Sequence, residues 1–330
     1  MRKNLNMLLV LAVLLLNVTL SGTENKKLAQ TGFQFLSVTS DARAAALAGA
    51  VTTLELGSSS LFFNPAGMAQ FPVAYEISAS QNKWIADINH YTFSLAWNPF
   101  NNRYGVFGLS VQSVDYGEIQ GTMVWANEQG YIDTEIFRPS AYMVGFGYAK
   151  ALSDMFSIGG QLKYTSQHLG NSVVEVGDSL KVKDYKTNAT AFDFGTIFNT
   201  GYKSIAFGMS IRNFSDEIEY EKEGFQLPLT FSMGISMDLF EFLPDIGFLD
   251  HLYCSIDAVH PRSYPEYINL GFEYKLAGIL LLRYGYLHNR DQRSSSFGFG
   301  ISRFGATIDY SYTPFSFFQD IQRFTIRFSF

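Results

Sequence analysis

The sequence predicts an all-β fold: a closed transmembrane antiparallel β-barrel of about fourteen strands, with a short N-terminal plug containing a helix. Three observations predict it. Beyond about residue 70 the chain falls into segments of roughly ten residues in which apolar and polar side chains alternate, as in a strand with lipid on one side and a polar lumen on the other. Charged residues are only 16% of the 330-residue chain and aromatics another 16%, against roughly 25% charged in ordinary soluble domains. Finally, the chain stops on a strand in which Phe324, Ile326, Phe328 and Phe330 share one face and Arg323, Thr325, Arg327 and Ser329 the other. A last strand of a soluble sandwich alternates in the same way; the composition favours the barrel.

In chain order, Arg2 and Lys3 precede an apolar run over 7–16 that gives way to small and polar residues through Gly22, the layout of a secretory signal peptide over 1–22. The run is shorter than the ~20 apolar residues a spanning helix needs, and no Cys follows it to carry a lipid anchor. An exported chain with no later helical span is either soluble or a barrel.

Residues 23–70 form an N-terminal periplasmic or plug segment ahead of the barrel at 71–330. Over 40–50 the sequence reads as a short helix, with Ser40 as N-cap, Asp41 in the first turn, and Ala44, Ala45, Ala48 and Gly49 allowing close packing. So short a helix needs a surface to dock on. Asn64-Pro65-Ala66-Gly67 then reads as a rigid turn, the Asn amide tying local backbone and Gly67 permitting positive φ. Together they predict a plug entering from the periplasmic mouth; a plain linker is the alternative, although linkers are seldom this apolar.

Strands follow near 73–81, 89–98, 104–114, 139–149, 155–167, 189–199, 204–213, 228–238, 252–260, 266–274, 279–286, 295–302, 305–312 and 323–330. The clearest sets Tyr91, Phe93, Leu95 and Trp97 against Thr92, Ser94, Ala96 and Asn98. Short connections at 98–103, 149–154, 200–203, 275–278 and 303–304 fall on one side, and long loops over 115–138, 168–188 and 214–227 on the other, the asymmetry of a bacterial barrel. Within 172–182, a hairpin is predicted around 177–178. The connection 238–251 is long for the short-turn side, and its apolar residues suit an element in the membrane interface.

On lumen parity lie Asp193, Asp257, Glu273 and Asp309, with Lys163, Arg212, Arg283 and Arg327. Charges of both signs read as a network that rigidifies a narrow barrel, or as a substrate pathway. The terminal Phe324, Ile326, Phe328 and Phe330 are an expected signal to the barrel-assembly machinery, and outer-membrane lipids the expected surroundings.

Gly32-Phe33-Gln34-Phe35-Leu36, the Ala42–Ala50 run and Phe63-Asn64-Pro65-Ala66-Gly67 resemble the N-terminal region of the PorV/PorQ family, which is similar to FadL-type outer-membrane barrels. The resemblance implies an outer-membrane partner of type IX protein secretion that shuttles cargo or contacts translocon components. The FadL-like likeness implies instead passive transport of hydrophobic small molecules, and a purely structural barrel is the third reading.

The net charge of -6 offers no basic footprint for nucleic acid. Cys254 stands alone, which excludes an intramolecular disulfide. His90, His168, His251, His260 and His288 have no metal-ligand spacing. Gly145-Phe146-Gly147 and Gly298-Phe299-Gly300 sit inside alternating strands, not at a strand-to-helix turn, so they are not nucleotide loops. No cofactor, no metal and no enzymatic activity are expected.

Overall fold

The computed structural model describes residues 31–330 apart from 101, 177–178, 221–222, 243–250, 289–294 and 316–318. The expected signal peptide over 1–22, and residues 23–30 of the N-terminal segment, lie outside the described residues. No described helix is long and apolar enough to cross a membrane.

Among the described residues there are eighteen strands, numbered in chain order. Fourteen close into one antiparallel ring: β1 (Tyr75–Lys83), β2 (Asn89–Trp97), β3 (Val106–Asp115), β6 (Ser140–Ala151), β7 (Phe156–Val176), β8 (Ser179–Asn199), β9 (Ala206–Phe214), β12 (Thr230–Asp238), β13 (His251–Pro261), β14 (Tyr267–Leu276), β15 (Leu280–His288), β16 (Ser295–Arg303), β17 (Ala306–Thr313) and β18 (Ile321–Ser329). The seam between first and last strands runs from Glu76 opposite Ser329 to Lys83 opposite Gln322. Every strand expected from parity meets one of these.

The ring is inside-out relative to a soluble protein. In β1, Glu76, Ser78, Ser80 and Asn82 are buried while Tyr75, Ile77 and Ala79 are exposed. In β18, Arg323, Thr325 and Arg327 are buried, and Phe324 and Phe328 face out, as does the terminal Phe330. The outer wall carries Phe93, Phe146, Phe207, Phe299 and their neighbours all the way round. A contiguous apolar belt this large needs a non-aqueous neighbour. Cys254 sits half-buried between Met237 and Phe272, part of that wall.

The two ends differ. At the turn end, short connections link β2 to β3, β6 to β7, β8 to β9, β14 to β15 and β16 to β17. At the loop end two hairpins stand outside the ring: β4 (Ile119–Val124) with β5 (Tyr131–Phe137), and β10 (Ile218–Tyr220) with β11 (Glu223–Phe225). The 115–138 and 214–227 stretches are therefore structured where the sequence suggested loops. Pairing of β7 with β8 also continues past the ring, across a bulge at His168/Gly170, to Val176 opposite Ser179. The expected hairpin is the far end of this arm; its tip, 177–178, lies outside the described residues. In the β12–β13 connection, Leu239–Phe242 forms a 3₁₀ turn held by Lys203, whose Nζ donates to the Glu241 carbonyl at 2.7 Å and lies 4.0 Å from the Phe242 ring centre; residues 243–250 lie outside the description.

Candidate functional site

The space inside the ring is taken by residues 31–73, and their path is set by contacts to the wall. At the loop end the Gly32 N–H donates to the Gln226 carbonyl at 3.1 Å, Thr31 and Ser263 hydroxyls meet at 2.8 Å, and Phe33 stacks on Phe225. Further in, the Phe35 carbonyl accepts from Gln112 Nε2 and the Thr39 carbonyl from Arg323 Nε. At the turn end the Phe71 carbonyl accepts from Asn98 Nδ2 at 2.8 Å. The segment thus threads the whole lumen from loop end to turn end. This corrects the expectation of a plug entered from the short-turn mouth alone, which parity could not decide because residues 31–70 do not alternate.

Helix α1 (Ala42–Ala46) is shorter than expected, and its N-cap is Asp41, whose Oδ1 accepts from the Ala44 N–H at 2.9 Å. Ser40 is buried beside it without capping. Ala44 and Ala45 lie in the helix, whereas Ala48 (φ 54) and Gly49 (φ 81) are left-handed residues of the turn that ends it. The Gly49 N–H returns to the Ala44 carbonyl at 2.8 Å, the helix-stop bond that left-handed residues make possible.

Small residues do meet the wall, but the wall supplies the smaller partner. A Cβ on Gly285 would overlap the backbone from Ala46 to Ala48, and one on Gly298 would overlap the Ala46 methyl. The same holds for the turn at Asn64. Its Oδ1 accepts from the Ala66 N–H at 3.1 Å, and its Nδ2 donates to the carbonyls of Thr52 at 2.7 Å and Thr196 at 3.2 Å. One amide therefore caps the Pro65–Met68 3₁₀ turn, ties the plug to itself and ties it to β8. A Cβ on Gly195 would strike Asn64 Oδ1, and one on Gly159 would strike Pro65 and Ala66. Gly67 has no positive φ; it is small because Ser60 Oγ and the Leu54 carbonyl crowd it.

All eight charges placed on lumen parity face inward. Four of them hold the plug. Asp257 Oδ2 accepts from the N–H groups of Val51 and Thr52 and from the Thr52 hydroxyl at 2.8, 2.9 and 2.7 Å. Glu273 receives Arg43 at 2.8 Å and Arg283 at 2.5 Å, and Arg283 continues to Asp309 at 2.7 Å. Arg212 Nη1 donates to the Phe62 carbonyl at 2.8 Å, and Arg327 reaches Asp41 at 3.3 Å and Glu76 at 3.6 Å. Lys163 and Asp193 pair within the wall at 2.7 Å, beside a β8–β9 bulge where the Asn213 N–H donates to Asp193. Buried charges need such partners. Residues the sequence reading passed over include Arg43 and Glu76, the latter accepting from the Ser58 N–H at 2.7 Å. Glu76 shares parity with Ser78, Ser80 and Asn82, which is the signal that identifies it.

Apolar contacts concentrate in two places. At the loop end Phe33, Phe35 and Leu36 of the plug join Val114 and Met143 of the wall and Leu227, which precedes β12. Nearer the turn end Leu61, Met68 and Phe71 join Ala96, Val106 and Ala149. Elsewhere polar cavities remain beside the plug. Of the histidines, His168, His251 and His260 each pair with a separate carboxylate, Asp184, Asp238 and Glu266. The Glu266 carboxyl is held below its usual range by its own backbone N–H and by His260. Among the described residues no group of three or more His, Cys, Asp or Glu is placed to hold a metal ion.

No family model and no curated protein matches the chain. Solved structures do. The Ralstonia pickettii toluene transporter TbuX is similar with TM-score 0.58 at 12% identity, over 88% of this chain and 98% of that one. The Pseudomonas putida toluene transporter TodX gives 0.57 at 11% over 87% and 96%, and a Pseudomonas aeruginosa FadL homologue 0.55 at 12% over 89% and 99%. At these identities the likeness is one of fold: a closed fourteen-strand barrel with helical turns in its N-terminal segment.

Proposed function

We propose that the chain is an outer-membrane barrel that passes small hydrophobic molecules, with residues 31–73 as the gate. One observation carries the reading: the loop-end apolar cluster is built jointly by Phe33, Phe35 and Leu36 of the plug and by residues around it, so displacement of the plug there uncovers an apolar surface. The likeness to toluene transporters supports it. On this reading the loop end faces the exterior, the turn end the periplasm, the belt meets outer-membrane lipids, a cleaved signal peptide directs export, and the terminal Phe330 strand engages the assembly machinery. Uptake of labelled toluene by cells that express the protein in the outer membrane, compared with cells that lack it, tests the proposal. Equal uptake at full surface expression rejects it.

A second reading, a PorV/PorQ-like partner of type IX secretion, rests on the β7–β8 arm. Beyond the ring Lys181 and Val182 are exposed on the outer part of β8, which among the described residues ladders with β7 and not with β9, a template for a further strand. Its test is affinity capture from native outer membranes: secretion components or cargo retained by the intact protein and lost when the arm is removed support this reading.

A further inference from the structure

The outer wall changes character at the turn end. Along β6 the outward residues Tyr142, Val144, Phe146 and Tyr148 are exposed, and the same parity next brings Lys150 to the rim. In the β2–β3 turn Arg103 is exposed, its Cζ 5.5 Å from the Tyr104 ring centre. In the β16–β17 turn Arg303 is exposed as well, 4.6 Å from the ring centre of Phe304. These turns lie on one arc of the ring, from β16 and β17 across the β18–β1 seam to β2, β3, β6 and β7. On them the one carboxylate side chain is Asp154, and among the described residues none of the three cations makes an ion pair. Residue 101, the position of these turns outside the description, is an uncharged asparagine.

Toward the middle of the barrel from these cations the wall is aromatic. Trp97, Phe107 and Tyr148 stand side by side across β2, β3 and β6, with successive ring centres 5.9 and 5.2 Å apart. The Tyr148 hydroxyl donates to the Tyr104 carbonyl at 2.8 Å, and a Cβ on Gly105 would overlap that hydroxyl and the Ala149 carbonyl. The β2–β3 turn is thereby pressed onto the end of β6. Arg103 and Lys150 come to one corner of the rim, next to the aromatic ladder.

We infer that this corner, with Arg303 further round the arc, is a docking surface for an anionic glycerophospholipid in the leaflet at the turn end. Outward Trp and Tyr mark the headgroup level of a barrel. Long cationic side chains at that level lay their methylenes on apolar surface and hold their charge among the phosphates. A phosphodiester there meets the Arg103 and Lys150 donors together, while its acyl chains run along Trp97, Phe107 and Tyr148. The headgroup preference follows from the charges on the arc. A zwitterionic lipid brings an ammonium group that two cations repel and that Asp154 alone could balance; an anionic lipid brings no such group. Attraction of this kind grows with each basic residue near the surface and is screened by salt. Nothing in the contact involves the lumen, so it is independent of hydrophobic passage.

The chain holds three tryptophans, and the other two lie elsewhere: Trp84 beside Arg323 past the loop end of β1, Trp125 just past β4. With Trp84→Phe and Trp125→Phe in place, fluorescence reports from Trp97 alone. The test is quenching of Trp97 in the protein refolded into phosphatidylcholine vesicles that contain either brominated phosphatidylglycerol or brominated phosphatidylcholine. Phosphatidylglycerol is expected to associate about fivefold more strongly. Arg103→Gln together with Lys150→Gln is expected to remove the difference, and Lys83→Gln, an equal loss of charge per site at the loop end of β1, to leave it. The preference is also expected to vanish in about 1 M KCl, a readout that serves if the double variant does not refold. Equal quenching by the two lipids overturns the assignment, as does a preference that survives the double substitution or the salt. A preference lost equally with Lys83→Gln belongs to the charge of the whole barrel and overturns the site.

Discussion

Behind β3, β6 and β7 the turn-end half of the plug is held by shape alone; behind β9 to β18 charge and hydrogen bonds are added to glycine seats. On the first side Leu61, Met68 and Pro65 lie against Gly108, Gly147 and Gly159 with no polar group between. On the second, Asp257, Glu273, Arg283 and Arg327 grip or brace the plug beside open polar space. The contrast shows that one small segment is anchored in two ways with different failure modes. Close packing fails gradually as atoms are removed, whereas a buried ion network fails sharply when one partner leaves the others unpaired.

The largest expected effect is therefore on the charged side. Arg283→Leu strands Asp309 and leaves Glu273 with Arg43 alone, and is expected to cost about 4 kcal/mol, read as a lowered guanidinium midpoint of the refolded barrel in detergent micelles. A loss no greater than that of Glu118→Gln, which removes only an exposed pair with Arg138, breaks the comparison. On the packed side Leu61→Ala opens a cavity between plug and wall, with an expected cost of about 3 kcal/mol. It is expected to be partly recovered by Gly147→Ala, whose new methyl points at the vacated space; no recovery in that double variant means the plug has shifted instead of leaving a void. The smallest effect belongs to Asn64, which touches both worlds. Asn64→Ala removes a cap and two ties and is expected to cost about 1 kcal/mol, while proteolysis of the plug in the intact barrel quickens more than global unfolding does. Proportional changes in the two rates deny the turn a local role.

How legible all this was depended on what each residue faces. The fourteen ring strands were readable because lipid and lumen impose opposite chemistry on alternate residues, and Phe324, Thr325, Ile326 and Arg327 repeat it without fault. Beyond the ring both faces of a strand meet water, so β4, β5 and the outer part of β7 and β8 carry no parity to read. The Asn64 turn was visible as local chemistry, but its tie to Thr196 was not, because the partner is a backbone carbonyl 132 positions away. The seats of the plug were hidden for a simpler reason. Gly195, Gly285 and Gly298 act through the side chain they lack, and nothing in an alternating strand marks one glycine as a seat and another as filler. Between Ser40 and Asp41 both residues suit an N-cap, and the choice fell to the one whose second oxygen meets Arg327.

The threaded path has a consequence in time. Residue 31 lies at the loop end and β1 starts at the turn end, so the plug cannot be drawn into a ring already closed without dragging Phe33 and Phe35 the length of a charged lumen. Closure of the sheet around a plug already in place avoids that passage. The closing seam carries the means to register it: Arg327 of the last strand meets both Asp41 of the plug and Glu76 of the first strand, and Thr325 receives the Ala42 N–H and contacts Ser80. The segment that later obstructs the pore is thus, during assembly, the mandrel on which the pore is wound.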